Sequence, residues 1–211
     1  MKLLQLLMVF VVIACGKDDL YVMQTTPDSA TEPVEQTIQD EIDDVVAEYN
    51  SFKDANGQSQ ITDGLNCTLH NTANADLDVS FGAMAYSFSL HTSFNQPNVN
   101  FAEEFNILPK ELRKLYKNAN FSLRCQGFFV ATESKRYEFT LDSDDGSRLY
   151  INGTLLVDNE GSHAMTKKTG SVVLAKGVHA FRIDYSQSGG GDKGLILTSE
   201  GEVVGSELFY R

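Results

Sequence analysis

Positive charge is scarce in this sequence. The 211 residues contain 17 Lys and Arg against 29 Asp and Glu, which gives a formal net charge of −12. No cluster of Lys or Arg stands out after the N-terminal segment. Because a protein that binds nucleic acid needs a basic stripe to contact the phosphates, the composition argues against nucleic acid as a partner.

Signatures of common catalytic sites are also missing. The four His residues are scattered along the chain, so no zinc or catalytic His cluster is expected. There is no nucleophile elbow, and residues 189–191 are not followed by the Gly-Lys-Ser/Thr of a phosphate loop. Adjacent Asp144 and Asp145 are poorly placed to flank a glycosidic bond from opposite sides. We therefore expect a binding protein and not an enzyme.

The first residues have the pattern of an export signal. Met1-Lys2 supplies positive charge, and residues 3–14 form an apolar run too short to span a bilayer as a helix. The run ends in Ala14-Cys15-Gly16, which resembles the lipobox of bacterial lipoproteins. The resemblance implies that residues 1–14 are a signal peptide and that lipid on Cys15 anchors the mature chain to a membrane. The alternative is an ordinary secretory signal that a cysteine follows by chance.

The residues after Cys15 bear on location. Gly16-Lys17-Asp18-Asp19 is similar to the export signal of lipoproteins that reach the outer leaflet of some Gram-negative outer membranes. We therefore expect the protein in the bacterial outer membrane, exposed at the cell surface. Residues 20–32 are rich in Thr, Pro and acidic residues and lack periodicity, so we expect residues 15–32 to be a flexible tether.

A helical pattern follows the tether. Apolar residues recur at spacings of three and four, as on one face of an amphipathic helix. These residues are Ile38, Ile42, Val45, Tyr49 and Phe52. Pro33 suits a first turn, and Asn56-Gly57 is a stop signal. We expect residues 33–75 to be a helical N-terminal segment that packs on the following domain; a partner-binding helix is the alternative.

Short runs that alternate apolar and polar residues dominate from residue 76 onward. Residues 136–141 and 178–185 alternate most clearly, with one face for a core and one for water. Only residues 108–117 look helical in this region. The turn signals that predict hairpins are Asp145-Gly146, Asn152-Gly153 and Lys176-Gly177. The pattern predicts an all-β fold, an antiparallel sandwich or barrel, over residues 76–211.

Two cysteines remain in the mature chain. In an exported protein, Cys67 and Cys125 allow a single possible disulfide. The alternation places Cys125 on the same face as Phe121 and Leu123, so that it points into the core. Two buried free thiols are the alternative.

Three aspartates crowd one turn. Asp142, Asp144 and Asp145 precede Gly146, and like charges this close are unfavourable without a cation among them. Calcium, which prefers oxygen ligands, is the best candidate. The spacing does not match an EF-hand, because Gly146 and Gly153 stand where ligands should be. A solvated acidic turn remains the alternative.

Four segments resemble successive strands of the protective-antigen-type (PA-fourteen) domain family. They occur in the family's order and cover most of residues 81–211, and Asp-Asp-Gly-Ser-Arg-Leu-Tyr at 144–150 is the most specific. The four segments are residues 121–129, 144–150, 176–185 and 194–197. Cys125 departs from the pattern, since an aromatic residue is usual there. The resemblance implies an antiparallel β-sandwich.

The same resemblance implies a ligand set. In the sugar-binding members, two adjacent aspartates joined by a cis peptide hold a calcium ion, and Asp144 and Asp145 match them. An amide side chain and two backbone carbonyls of a later loop complete the set, and Gln187, Gly189 and Gly191 match these. Vicinal sugar hydroxyls would fill the remaining positions around the ion.

The sequence leaves two functions open. The first is a surface lipoprotein with a calcium-dependent carbohydrate-binding module, for adhesion or glycan capture. The second is a structural or protein-interaction sandwich of the cell envelope without a sugar ligand. The chain contains no Trp, so stacking on a sugar ring would fall to Tyr or Phe.

Overall fold

Two antiparallel β-sheets enclose an apolar interior, which confirms the β-sandwich expected from the alternating runs. The expected signal peptide (1–14), the expected tether (15–32) and Cys15 lie outside the described residues. The computed structural model describes residues 34–72, 76–78, 81–99, 104–116, 120–188 and 191–211.

The strands divide between the two sheets. In chain order they are β1 (Leu65–Asn71), β2 (Met84–Leu90), β3 (Asn95–Val99), β4 (Phe121–Ala131), β5 (Lys135–Asp144), β6 (Ser147–Ile151), β7 (Thr154–Asn159), β8 (Thr166–Leu174), β9 (Gly177–Gln187), β10 (Lys193–Ser199), β11 (Glu202–Val203) and β12 (Phe209–Tyr210). The first sheet has the order β2-β1-β4-β9-β6-β7, with β12 also paired to β4. The second has the order β11-β10-β5-β8, with β3 also paired to β10.

The expected N-terminal helix is α1 (Val34–Ala55), and Gly57, with φ 65°, follows its end. Ile42 and Val45 are buried and pack with Val130 on the outer side of the first sheet, as the apolar face predicts. The expected face is covered only in its middle, because Ile38 and Phe52 are 46% and 64% exposed.

A second helix, α2 (Lys110–Leu115), lies within the stretch expected to be helical, and a 3-10 turn spans Ser206–Leu208. Leu112 of α2 and Tyr116, which follows the helix, are buried, whereas Leu115 is exposed. Within the described ranges, no helix is both long and apolar enough to cross a membrane.

The helical segment is shorter than the expected residues 33–75. Strand β1 lies inside that range and pairs with both β2 and β4, so the sandwich begins before residue 76. The reason is alternation, because Leu65, Cys67 and Leu69 all point into the core while the residues between them are more exposed.

Two of the three expected hairpins are wrong. Asp145-Gly146 and Lys176-Gly177 carry the chain from the second sheet to the first, because β5 and β8 lie in one sheet and β6 and β9 in the other. Only Asn152-Gly153 closes a hairpin, between β6 and β7, with positive φ at both residues. A turn dipeptide shows where the chain reverses but not which sheet it joins next.

Cys67 and Cys125 are bonded in a disulfide, one of the two states that the sequence left open. They are register partners on the neighbouring strands β1 and β4, and both side chains are buried. The bond therefore ties β1, which lies within the range expected to be helical, to β4 in the first sheet.

Candidate functional site

The acidic turn, residues 142–146, lies where the chain passes from one sheet to the other. The peptide bond between Asp144 and Asp145 is cis, the arrangement implied by the family resemblance. Both residues are buried, with 8% and 5% of their surface exposed. Buried carboxylates are unfavourable unless hydrogen bonds or an opposite charge compensate for lost solvation. The surroundings of this turn must therefore supply such groups.

Asp145 receives hydrogen bonds on both carboxylate oxygens. Its Oδ1 accepts from the Ser162 hydroxyl and from the backbone N–H of His163, each at 3.0 Å. Its Oδ2 accepts from the backbone N–H of Ser188 at 2.7 Å and from the Ser188 hydroxyl at 3.1 Å. Asp145 thus fastens the loop after β7 and the loop after β9 to the acidic turn.

Asp144 is less well compensated. Burial raises the pKa of its carboxyl group, and the nearby charge of Asp145 raises it further. A hydrogen bond with the Asn98 side chain acts in the opposite direction and favours the ionised form. The ionised Asp144 carboxylate is therefore the group in this turn that an added cation would stabilise.

Gln187, at the end of β9, lies beside the acidic turn. The Tyr185 hydroxyl is 2.6 Å from both the backbone oxygen of Asp144 and Oε1 of Gln187. Since this hydroxyl has one hydrogen, the two oxygens share a single donor. Nε2 of Gln187 donates to the backbone oxygen of Asp192 at 3.1 Å. The structure thus brings Asp144, Asp145 and Gln187 together.

The other two expected ligands come from the loop between β9 and β10. The backbone oxygen of Gly191 accepts a hydrogen bond from Nζ of Lys193 at 2.8 Å. Gly189 lies outside the described residues.

Lys193 is one of the residues of this region to which the sequence-based prediction gave no role. It is fully buried at 0% exposure, and Asp144 is the carboxylate that most strongly counters the lowering of its pKa by burial. Its direction was readable from the sequence, because Lys193 continues the alternation of the inward-pointing Leu195 and Leu197. Tyr185 was readable in the same way.

The ligand types at this turn suit calcium. Two carboxylates, an amide oxygen and a backbone carbonyl are the oxygen donors that calcium prefers. Asp144 is buried, and burial and the nearby charge of Asp145 raise the pKa of its carboxyl group. Gln187 and Gly191, however, already accept hydrogen bonds from Tyr185 and Lys193. The set fits a calcium ion if these two donors give way to it.

Polar residues surround the acidic turn and form a rim. Among them, Ser162 and Asn98 are exposed, and Ser188 is partly exposed. The Asn98 side chain donates to the Asp192 carboxylate at 3.3 Å, and the Ser162 and Ser188 hydroxyls are 3.0 Å apart. We define the rim as Asn98, Ser162, His163, Ser188 and Asp192. Its side chains offer hydrogen-bond donors and acceptors to a ligand at the surface.

A second acidic group, the Arg148 cluster, surrounds the guanidinium of Arg148 on β6. Nη1 of Arg148 contacts Asp78 at 2.6 Å, Nε contacts Asp158 at 3.1 Å, and Nη2 contacts Glu160. Asp76 lies close to Asp78 and Glu160, so that the three carboxylates have the spacing of a metal site. The arginine already supplies positive charge there, and we assign no ion to this cluster.

A hollow of about 400 Å³ lies elsewhere, on the first sheet. Its lining includes Phe128, Tyr150 and Arg182, and no residue of the acidic turn. The guanidinium of Arg182 lies over the Tyr150 ring, 3.6 Å from its centre. This hollow is therefore separate from the acidic turn.

Solved structures share the fold. The PA14 domain of the antifreeze protein MpAFP is 17% identical, with a TM-score of 0.55 over 72% of this chain and 92% of that chain. The PA14 sugar-binding domain from an RTX adhesin is 17% identical, with a TM-score of 0.53 over 70% and 98%. The A domain of epithelial adhesin 6 from Candida glabrata, in complex with Galβ1-3GlcNAc, is 16% identical, with a TM-score of 0.53 over 72% and 88%.

Sequence comparison identifies the family. No curated protein matches the chain. The family model of the PA14 domain, the protective-antigen type, matches residues 85–202, more than half of the 211 residues. The matched segment includes the acidic turn, Tyr185, Gln187 and Lys193. The chain therefore belongs to the PA14 domain family.

Proposed function

We propose that this chain is a carbohydrate-binding module without enzymatic activity, and that sugar hydroxyls bind at the acidic turn. The observation that carries the proposal is the combination of two buried aspartates with a polar, accessible rim. An apolar cover over the turn would instead favour a purely structural role. Two similar structures are described as a sugar-binding domain and as an adhesin domain in complex with a disaccharide, which supports the proposal.

Asp144 and the rim divide the recognition of a sugar. A hydroxyl group of the ligand donates to the Asp144 carboxylate. The hydroxyl oxygens of Ser162 and Ser188, whose hydrogens are donated to Asp145, and the side-chain oxygen of Asn98 can accept from further sugar hydroxyls. Discrimination is strong in such a site because a sugar that lacks one hydroxyl leaves a buried polar group unpaired.

We further propose calcium as the cofactor of this site. Asp144, Asp145, Gln187, Gly189 and Gly191 would hold the ion, which when bound offers open coordination positions to vicinal hydroxyls. Asp145 also orders the two loops that carry Ser162 and Ser188. This second role needs no ion, since the hydrogen bonds come from the protein itself.

Glycan-array binding of the soluble part, in calcium and in chelator, tests the function. We expect wild-type protein to bind saccharide, and Asp144→Asn to reduce that binding at least tenfold while the protein stays folded. Asp78→Asn is the matched control, because it removes one charge from the Arg148 cluster. Absence of binding to any glycan, together with absence of calcium uptake by calorimetry, would favour a structural or protein-interaction sandwich.

We also propose that the module is lipid-anchored through Cys15 and displayed on the outer surface of a bacterial outer membrane. The support is the apolar run followed by Ala14-Cys15 and the acidic residues after it. Cys15→Ser should release the protein from the membrane fraction of expressing cells. Unchanged fractionation of that variant would contradict the anchor, and resistance of wild-type protein to protease on intact cells would contradict surface display.

A further inference from the structure

The interior of the sandwich contains a lysine side chain. Lys193 is 0% exposed and is the only lysine among the buried residues of the described part of the chain. It opens β10 and points to the same side as Leu195 and Leu197, which belong to the core. A buried ammonium group is unfavourable unless hydrogen bonds and opposite charges compensate for its lost hydration.

The acidic turn supplies that compensation. Nζ of Lys193 donates to the backbone oxygen of Gly191 at 2.8 Å. The carboxylates whose charge favours the ammonium form are, in order of strength, Asp144, Asp192 and Asp145. The attraction between the Lys193 ammonium and these carboxylates also stabilises the two buried aspartates, since they too need a positive charge nearby.

We propose that Lys193 is the resident cation of the acidic turn and competes with calcium for it. The inference rests on the calcium site proposed above. Gly191 is both an expected calcium ligand and the acceptor of the Lys193 hydrogen bond, so one oxygen would have to serve two cations. A divalent ion bound to that oxygen would also be repelled by an ammonium group held beside it. Calcium binding therefore requires Lys193 to leave Gly191, and the lysine weakens the affinity.

Groups of the protein itself also stabilise the acidic turn. Lys193 offsets part of the negative charge of Asp144 and Asp145, and Asp145 receives four hydrogen bonds from the protein. The protein therefore supplies part of the compensation that the buried aspartates need.

Calcium titration of Lys193→Met by calorimetry tests the competition. Methionine has a similar length and removes the charge, so we expect the variant to bind calcium at least tenfold more tightly than wild-type protein. In chelator its melting temperature should fall below the wild-type value, and calcium should restore more of it than in wild-type protein. Lys167→Met is the matched control, because Lys167 is 73% exposed and lies 3.7 Å from Asp142 of the same turn.

Each outcome of the calcium titration either supports or overturns the competition. Tighter binding by Lys193→Met, or uptake by that variant alone, supports the competition. Equal affinities for the variant and wild-type protein, or no uptake by either, overturns it. If Lys193→Met does not fold, Lys193→Gln keeps a donor for Gly191 without the charge, and the same affinities decide. Sugar binding is measured separately on the glycan array, in calcium and in chelator, so failure of the competition and failure of the proposed carbohydrate function remain distinguishable.

Discussion

The acidic turn and the Arg148 cluster both bring carboxylates together near a basic side chain, but their negative charge is compensated in different ways. In the Arg148 cluster the guanidinium contacts Asp78, Asp158 and Glu160 directly, and these side chains are 74%, 49% and 25% exposed. In the acidic turn the aspartates are buried, and Lys193 bonds a carbonyl oxygen beside them.

This difference bears on where an ion is expected. Sequence spacing draws attention to Asp144 and Asp145, whereas spatial grouping of carboxylates alone points to Asp76, Asp78 and Glu160. In the second group the guanidinium of Arg148 contacts Asp78 and Glu160 directly, and its N–H groups match the geometry of carboxylate oxygens closely. Our calcium proposal therefore concerns the acidic turn, where Asp144 is buried, and not the more exposed carboxylates around Arg148.

The largest effect is expected from Asp145→Ala. Its removal leaves the part-buried backbone N–H groups of His163 and Ser188 without their acceptor, and a donor of this kind that is left unsatisfied costs about 1–3 kcal/mol when it is fully buried. We expect the free energy of unfolding to fall by about 3 kcal/mol in denaturant titrations. Asp158→Ala, which removes a half-exposed partner of Arg148, should cost far less. Similar losses for both would show that burial does not distinguish the two regions.

Tyr185→Phe should have the next largest effect. The hydroxyl is buried and close to the Asp144 carbonyl and to Oε1 of Gln187, so its loss leaves two oxygens without a donor. A decrease of about 1–2 kcal/mol in unfolding free energy is expected. Tyr150→Phe is the control, since that ring lies on the first sheet away from the turn. Equal stability of wild-type protein and Tyr185→Phe would contradict the hydrogen-bond assignment.

Arg148→Met should produce a smaller, salt-sensitive loss. Without the guanidinium, Asp78, Asp158 and Glu160 repel one another, but their exposure to solvent limits the cost to about 1 kcal/mol. Thermal unfolding at low and high ionic strength measures it. The deficit should shrink as salt rises, because exposed charges are screened over about 10 Å at 0.1 M. A deficit that is unaffected by salt would point to lost packing and not to charge.

The smallest effect is expected in the pH dependence of the contribution of Asp78 to stability. The hydrogen bond with Arg148, followed by its charge, holds the pKa of Asp78 below the ordinary value of 3.8. Its contribution to stability is present above that value and is lost as pH falls through the lowered pKa of the folded state. The stability difference between wild-type protein and Asp78→Asn should therefore be small at neutral pH and should disappear as pH falls through the lowered pKa of Asp78 in the folded state. A difference that grows in acid would contradict this sign.

Periodicity predicted much of the fold. The alternation identified β5 and β9, and the spacing of three and four identified α1, because burial on one face is a local property of the sequence. It could not show which sheet β6 and β9 join after their turns. That choice depends on pairing between distant strands, such as β4 with β9, which no local pattern encodes.

The site was predicted in part. Asp144, Asp145 and Gln187 were identified by resemblance, and the structure places them together at one end of the sandwich. The hydrogen bonds from Ser162 and Ser188 to Asp145 were not foreseen, because they join loops that are distant in sequence. Lys193 was readable as inward-pointing, yet only the structure shows that its amino group bonds Gly191 beside the acidic turn.

Gly146, next to Asp145, shows how this site can change. A Cβ atom there would lie 2.9 Å from the backbone nitrogen of Gly161 and 3.1 Å from the Ser186 hydroxyl, so no side chain fits unless the loops separate. Gly146 therefore cannot be replaced by a residue with a side chain without moving the surrounding loops. Ser162 and Asn98 meet no such limit, since both are exposed. Under the proposed carbohydrate function, a combinatorial library at these two positions, with Gly146 held constant, should therefore yield modules with altered saccharide preference.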